Sequence, residues 1–161
     1  MASSISASGK GGRAIALELV LGFAAGFLAV LVFHQLTIAA MGALGLIQSA
    51  GVYRFDAYGP LGIPRVVNTA FWGGVWGIVL AALRLFLPLP RALVAFLIAG
   101  FLFGIVGPTF FGWFVLAPWR GQPVAQGFNP AAMWRGPVIN GMWGLGAAAF
   151  LLLFDRLRQR A

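Results

Sequence analysis

The sequence predicts an all-α membrane protein with four transmembrane helices. Hydrophobic residues make up 61% of its 161 residues and charged residues only 9%, with a mean hydropathy of +0.94. A soluble domain carries about 25% charged residues on its surface, so this chain is suited to a solvent of lipid tails. Its apolar residues fall into four segments, each long enough to supply the roughly 20 residues that a membrane helix needs.

The chain divides into two short tails and one membrane domain. Residues 1–13 are rich in Ser and Gly and bury nothing, so we expect a disordered cytoplasmic tail there. Residues 14–154 form the predicted four-helix domain, and residues 155–161 form a basic cytoplasmic tail. A basic start before an apolar run also describes a signal peptide. This run exceeds the usual h-region and three more follow, which favours an uncleaved first helix.

The first apolar segment is too long for one straight crossing. As one helix, residues 14–47 would span about 50 Å, whereas the hydrocarbon core is about 30 Å thick. We therefore expect the helix to tilt, to bend near Gly42 and Gly45, or to end in an interfacial segment. A loop with two tyrosines and two prolines follows it over residues 48–65.

Three further helices are predicted, separated by proline-rich connections. The second runs from Val66 to Leu83 and stops before the LPLPR turn at residues 87–91, because its prolines cannot continue a helix. The third runs from Ala92 to Leu116, and Pro108 within it predicts a kink. The fourth begins near Pro137, after a second aromatic loop, and ends at Phe154.

The distribution of positive charge predicts the orientation. One side of the predicted bundle carries seven cations, namely Lys10, Arg13, Arg84, Arg91, Arg156, Arg158 and Arg160. The other side carries four, namely Arg54, Arg65, Arg120 and Arg135. Since the cytoplasmic side holds the excess of Lys and Arg, both termini are predicted to be cytoplasmic in a bacterial inner membrane. The same distribution explains the net charge of +8 without nucleic-acid binding.

The two halves of the chain carry a possible tandem repeat. Gly26-Phe27-Leu28 recurs 74 residues later at Gly100, and Asn68 recurs 72 residues later at Asn140. Each Asn is followed by a Trp-Gly pair. Two helix–loop–helix units of this kind would be related by an axis along the membrane normal. Gly, Leu and Phe are so common here that chance matches are the alternative.

Small residues four apart mark every predicted helix. The stripes are Gly22 with Gly26, Gly73 with Gly77, Gly100 with Gly104, and Gly141 and Gly144 with Ala148. Such stripes let helix backbones approach closely in lipid. They indicate tight helix packing, and the alternative is a pore or substrate path lined by glycine.

Five polar residues are candidate functional positions: Glu18, His34, Gln35, Asn68 and Asn140. His34 lies near the outer interface, with Gln35 beside it. An ionisable group in a membrane helix suggests a proton relay, a ligand or a gate, although a neutral imidazole at that depth also serves for hydrogen bonding between helices. Glu18, near the inner interface, is either an acid favoured by the helix dipole or a proton or cation site.

The remaining candidates favour structural roles. Asn68 and Asn140 are expected to cap helix ends or to hydrogen-bond between helices, or else to form a weak anion-attracting vestibule. Trp72, Trp76 and Trp143 are expected to serve as anchors or packing residues rather than as a ligand cage.

Catalytic and cofactor signatures are missing from the sequence. It has no cysteine and one histidine, so a metal or haem ligand set cannot arise within one chain unless two copies of His34 pair in a homodimer. No paired carboxylates or phosphate loop occur. We predict no enzyme activity and no cofactor.

Two strings, VFHQ at Val32–Gln35 and AFWGGVWG at Ala70–Gly77, flank a proline-rich loop ending in LGIPR. They resemble an uncharacterised group of small bacterial four-helix inner-membrane proteins. The resemblance supports four helices and implies no substrate, cofactor or partner. The leading functional hypothesis is a structural or accessory component that oligomerises or joins a membrane complex, with the lipid bilayer and other membrane subunits as its partners. The alternative is a small permease or channel that acts as a homo-oligomer.

Overall fold

The chain folds into a bundle of long helices, seen in a computed structural model that describes residues 2–48, 51–87 and 92–160. Four helical spans within these ranges are long and apolar enough to cross a membrane. They are Gly11–Ala43, Arg65–Phe86, Leu93–Trp119 and Pro130–Arg158. The predicted all-α fold with four membrane helices is therefore confirmed. The prolines of the LPLPR turn and Arg91 lie outside the described residues.

Four long helices and several short helical elements make up the described part of the chain. In chain order they are α1 (Ala2–Ala29), a π turn (Val30–His34), α2 (Gln35–Ala43), α3 (Arg65–Phe86), α4 (Leu93–Phe111), a second π turn (Gly112–Leu116), α5 (Ala117–Trp119), a 3-10 turn (Val124–Phe128), α6 (Pro130–Met133) and α7 (Arg135–Arg158). The first span joins α1, the π turn and α2 without a break. The third span joins α4, the second π turn and α5 in the same way.

The first span differs from the prediction at its start and agrees at its end. Helix α1 begins at Ala2, whereas residues 1–13 were expected to be disordered. No proline interrupts this segment, so nothing in it stops a helix that the apolar residues nucleate. At the other end Gly45 takes a positive φ of 69°. There the Leu46 amide donates to the Met41 carbonyl at 2.9 Å, which is the hydrogen bond of a Schellman motif and ends the helix.

A small β-hairpin that the sequence did not predict lies in the first loop. Strand β1 (Ala57–Tyr58) pairs antiparallel with β2 (Ile63–Pro64), immediately before α3. The Arg65 amide donates to the Asp56 carbonyl at 3.0 Å, so the loop satisfies a free donor of the first turn of α3. We call this end of the bundle the hairpin end.

The helices pack as two pairs, α1 with α3 and α4 with α7. In the first pair a Cβ added at Gly77 would collide with the Gly22 carbonyl oxygen, and one at Gly26 would collide with that of Gly73. In the second pair a Cβ at Gly144 would collide with the Gly100 carbonyl oxygen. The glycine stripes therefore bring backbones into direct contact, as the packing interpretation predicted.

The pairs meet along α1 and α7, while α3 and α4 barely touch. Trp143 is 2% exposed, and its indole N–H donates to the Gly26 carbonyl at 2.9 Å across this contact. A tandem repeat with a two-fold axis would place an equivalent contact between α3 and α4. Its absence there leaves an open groove between these two helices, towards the hairpin end.

Candidate functional site

His34 ends the first π turn and faces the bundle interior in the hairpin half. It lines a cavity of about 150 Å³, together with Val30, Thr69, Trp72, Gly73, Trp76, Pro108, Asn140 and Trp143. Its Nδ1 atom is buried and has no hydrogen-bond partner among the residues that the structure describes. Buried polar atoms normally have such a partner. The imidazole is therefore available to hydrogen-bond a small polar molecule in this cavity.

Asn140 joins α7 to α4 beside this cavity. Its Nδ2 donates to the Thr109 hydroxyl at 3.0 Å, and that hydroxyl donates to the Gly104 carbonyl at 3.2 Å. Pro108 has no amide to give this carbonyl, so Thr109 replaces the missing donor. Asn140 thus makes the expected interhelical hydrogen bond. It does not cap its helix, because Trp134 occupies the N-cap of α7.

Gln35 fastens the first loop to the first span. Its side chain is buried, and its Oε1 accepts a hydrogen bond from the Tyr53 amide at 2.9 Å. The Tyr53 hydroxyl in turn donates to the Leu31 carbonyl, within the π turn, at 2.7 Å. A further cavity of about 280 Å³ lies beside this contact and is also lined by His34 and Arg65. Gln35 therefore has a structural role that also shapes the surroundings of His34.

Asn68 lies in the largest of these cavities, which we call the α3–α4 groove. It measures about 510 Å³. Its walls are Tyr58, Arg65, Asn68, Thr69, Trp72 and Trp76 on one side, and Pro108, Phe111, Gly112, Val115, Leu116, Trp119 and Arg120 on the other. Asn68 is not a helix cap either, since Pro64 precedes α3 at that position. Trp72 and Trp76 line this groove, whereas Trp143 is the buried packing residue that the sequence suggested.

The groove mouth carries a surplus of positive charge. Asp56 pairs with Arg54 at 2.8 Å and with Arg65 at 3.2 Å, so one carboxylate serves two guanidinium groups. The hydrogen bond from Arg54, with a further one from Arg65, holds the pKa of the Asp56 carboxyl below its usual value. Arg65 also stacks over the Tyr58 ring at 4.3 Å, and Arg120 lies 6.0 Å from the centroid of that ring.

Glu18 belongs to an ion-pair network at the opposite end, which we call the network end. It accepts hydrogen bonds from Arg84 at 3.2 Å and from Arg158 at 2.9 Å. Asp155 accepts from the same two arginines. The network joins α1, α3 and α7 and balances two acids with two bases. This pairing favours the structural interpretation of Glu18 over the proton or cation site.

Sequence reasoning did not select the partners of these sites. Arg84, Asp155 and Arg158 were assigned only to topology, and Arg65 and Arg120 only to a loop charge count. One available signal was the scarcity of acids. The chain has three acidic residues and eleven basic ones. This ratio favours ion-pair clusters in which one carboxylate contacts more than one arginine. The groove had no such signal, because it depends on how far α3 lies from α4.

Comparisons with known proteins give no further guidance. Searches of protein-family descriptions, of curated proteins and of solved structures found no match. Across the described ranges, no three His, Asp or Glu side chains come together as metal ligands. The site is therefore characterised by its geometry alone: neighbouring cavities around His34 that share lining residues with one another and with the α3–α4 groove.

Proposed function

We propose that this chain is a non-enzymatic component of the bacterial inner membrane that oligomerises or joins a larger membrane complex. The observation that carries this proposal is the use of the glycine stripes. The glycine stripes of both pairs already make backbone contacts within the chain, at Gly22 against Gly77 and at Gly100 against Gly144. The bundle is thereby a compact scaffold that meets other molecules through its outer surface.

Helix α4 supplies the surface for such contacts, because it is the least covered of the four spans. Large apolar side chains follow one another at every fourth position on its exposed face and into the second π turn: Val94, Ile98, Leu102, Val106, Phe110 and Phe114. Side chains at this spacing form a ridge that packs into the groove of a neighbouring helix. Phe110 and Phe114 extend the ridge, with ring centroids 5.7 Å apart.

The proposed orientation places both termini in the cytoplasm. Two of the seven cations on that side, Arg84 and Arg158, are neutralised in the network by Glu18 and Asp155. The remaining cations on that side include the tail residues Arg156 and Arg160, which are exposed. Exposed arginines at a membrane surface attract anionic headgroups and retain that end on the cytoplasmic side.

Blue-native electrophoresis in mild detergent tests the proposal. We expect a species larger than the 17.0 kDa monomer. The chain has no cysteine, so single cysteines report proximity cleanly. Val106→Cys, on the α4 ridge, should form cross-links in native membranes. The matched control Val20→Cys, equally apolar and exposed on α1, should not. A monomer without cross-linked partners would overturn the proposal.

A second candidate function, a small permease or channel, is favoured by one observation. The cavities that border His34 and Asn140 lie next to one another in the hairpin half and share lining residues. Proteoliposome flux of protons, ions or small solutes tests this candidate. His34→Ala should alter the flux, whereas Gly12→Ala, at a glycine without close neighbours, should not. Absence of flux from the parent protein would count against transport.

A further inference from the structure

We propose that the α3–α4 groove binds one anionic phospholipid. Its phosphate would lie at the mouth between Arg65 and Arg120, and one acyl chain would follow the apolar wall past Trp72 towards Trp76. This inference concerns a site on the chain and is independent of whether the chain oligomerises.

The groove has the shape of a site for one acyl chain. The backbones of α3 and α4 lie apart along it, which leaves the groove open between the two helices. It closes at its deep end where the Trp76 ring packs edge-on against Phe103 at 5.9 Å and against Phe111 at 5.7 Å. The cavity of about 510 Å³ is thus bounded at its deep end by aromatic rings.

Polarity changes along the groove as it does along a phospholipid. Arg65 opens α3, and Trp76 lies 11 residues further along this helix, about 16 Å deeper. On the facing wall, Phe111 lies nine residues before Arg120, about 13 Å from the mouth. Charged and aromatic-polar groups therefore stand at the level of a headgroup, and apolar groups stand at the level of a tail.

The charge at the mouth is complementary to a phosphate. Arg65 shares the Asp56 carboxylate with Arg54, and the Arg120 guanidinium makes no ion pair among the described residues. Two positive charges thus remain uncompensated. The guanidinium groups of Arg65 and Arg120 both lie near the Tyr58 ring, at 4.3 Å and 6.0 Å from its centroid. Arginine forks match phosphate oxygens in geometry as well as in charge.

A partner helix fits the groove less well than a lipid. A helix with side chains is about 10–12 Å wide and crosses the whole membrane, whereas the groove occupies only the hairpin half and ends at Trp76. A helix would also place apolar residues against the unpaired Arg120. A lipid satisfies the cations and the apolar wall with one molecule.

Native mass spectrometry of the purified protein tests the headgroup. The protein is mixed with phosphatidylglycerol or with phosphatidylcholine, and the lipid retained is counted. We expect one phosphatidylglycerol per chain, retained in preference to phosphatidylcholine.

Arg120→Gln should weaken that retention about ten-fold, because it removes a charge-assisted hydrogen bond. The matched control is Arg135→Gln, which removes an exposed charge at the same end but outside the groove, and it should retain lipid as the parent does. Equal retention of both lipids, or equal loss in both variants, would overturn the proposal.

A second variant pair tests the tail. Val115 lines the groove and is 52% exposed, whereas Val67 is 41% exposed on α3 outside it. Val115→Trp should fill the groove and abolish phosphatidylglycerol retention, and Val67→Trp should leave it intact. If Val115→Cys cross-links to itself in vesicles while the parent retains no lipid, a second copy occupies the groove and the lipid proposal is wrong.

Discussion

The two ends of the bundle treat charge in opposite ways. At the network end, Glu18 and Asp155 meet Arg84 and Arg158, and the four charges balance in a partly buried cluster. At the hairpin end, Asp56 is the one acid of the described residues there, and it serves two arginines while Arg120 stays unpaired. The charges of the network end are therefore balanced, whereas the described residues of the hairpin end keep a net positive charge.

Packing follows the same division. Towards the network end, Gly22, Gly77 and Ala81 bring α1 and α3 into backbone contact. Towards the hairpin end, Gly112 has no neighbour within 4 Å of an added Cβ, and cavities surround His34. Backbone contacts therefore fill the network half, whereas the cavities described above lie in the hairpin half.

The largest expected difference in stability comes from a Gly→Ala substitution made in each half of the bundle. Gly77→Ala places a methyl group against the Gly22 carbonyl, which cannot move without separating α1 from α3. We expect a loss of about 3 kcal/mol in the free energy of unfolding, at the upper end of the usual cost of overpacking. Gly112→Ala has open space and a helical φ of −58°, so it should be neutral or stabilise by up to about 1 kcal/mol. Unfolding in mixed micelles measures both, and similar losses would refute the division between halves.

A smaller effect is expected from removing one arginine at each end. Arg84→Gln leaves Glu18 and Asp155 short of a partner in a cluster where the Arg84 side chain is 23% exposed. We expect a loss of about 2–3 kcal/mol, somewhat less than for a fully buried pair. Arg120→Gln removes an exposed group that makes no ion pair within the described part of the chain, and it should change stability by less than about 0.5 kcal/mol. Unfolding experiments on both variants check the contrast, which fails if Arg120→Gln is the more harmful.

The smallest effect concerns the pH dependence of the hairpin. The pKa of Asp56 is lowered in the folded chain, first by the hydrogen bond from Arg54. The ion pairs therefore contribute stability above the ordinary Asp pKa of about 3.9, and this contribution is lost as the pH falls through the lowered folded pKa. Carboxyl carbon NMR should show Asp56 titrating below the ordinary value in the parent. In Arg54→Gln the pKa should rise, and in Arg135→Gln it should stay low. An ordinary pKa in the parent would contradict the pairing.

The spans and the packing of the helices were predictable, because they depend on local composition. A run of apolar residues crosses a membrane whatever it packs against, and Gly22 with Gly26 marks a close approach without naming its partner. The Pro-containing helix α4 was also foreseen. That the Thr109 hydroxyl would take over the lost hydrogen bond was not foreseen, although it follows Pro108 directly.

The partners across the bundle were not predictable from one sequence. Glu18 lies 66 residues from Arg84 and 140 residues from Arg158 along the chain. The surroundings of His34 were not predictable either, because its cavity is lined by residues of all four spans. The start of α1 at Ala2 was missed, because composition favoured a disordered tail.

The separation into two self-contained helix pairs has a consequence for how the chain is assembled. Each helix pair contains its own glycine contact. The contact between the two pairs includes polar interactions, where Trp143 donates to the Gly26 carbonyl and Arg158 donates to Glu18. The pair α1 and α3 can therefore insert and fold while the second pair is still being translated, and α7 packs against α1 afterwards. We expect the halves, produced as separate polypeptides divided between Phe86 and Leu93, to recombine in the bilayer into the intact bundle.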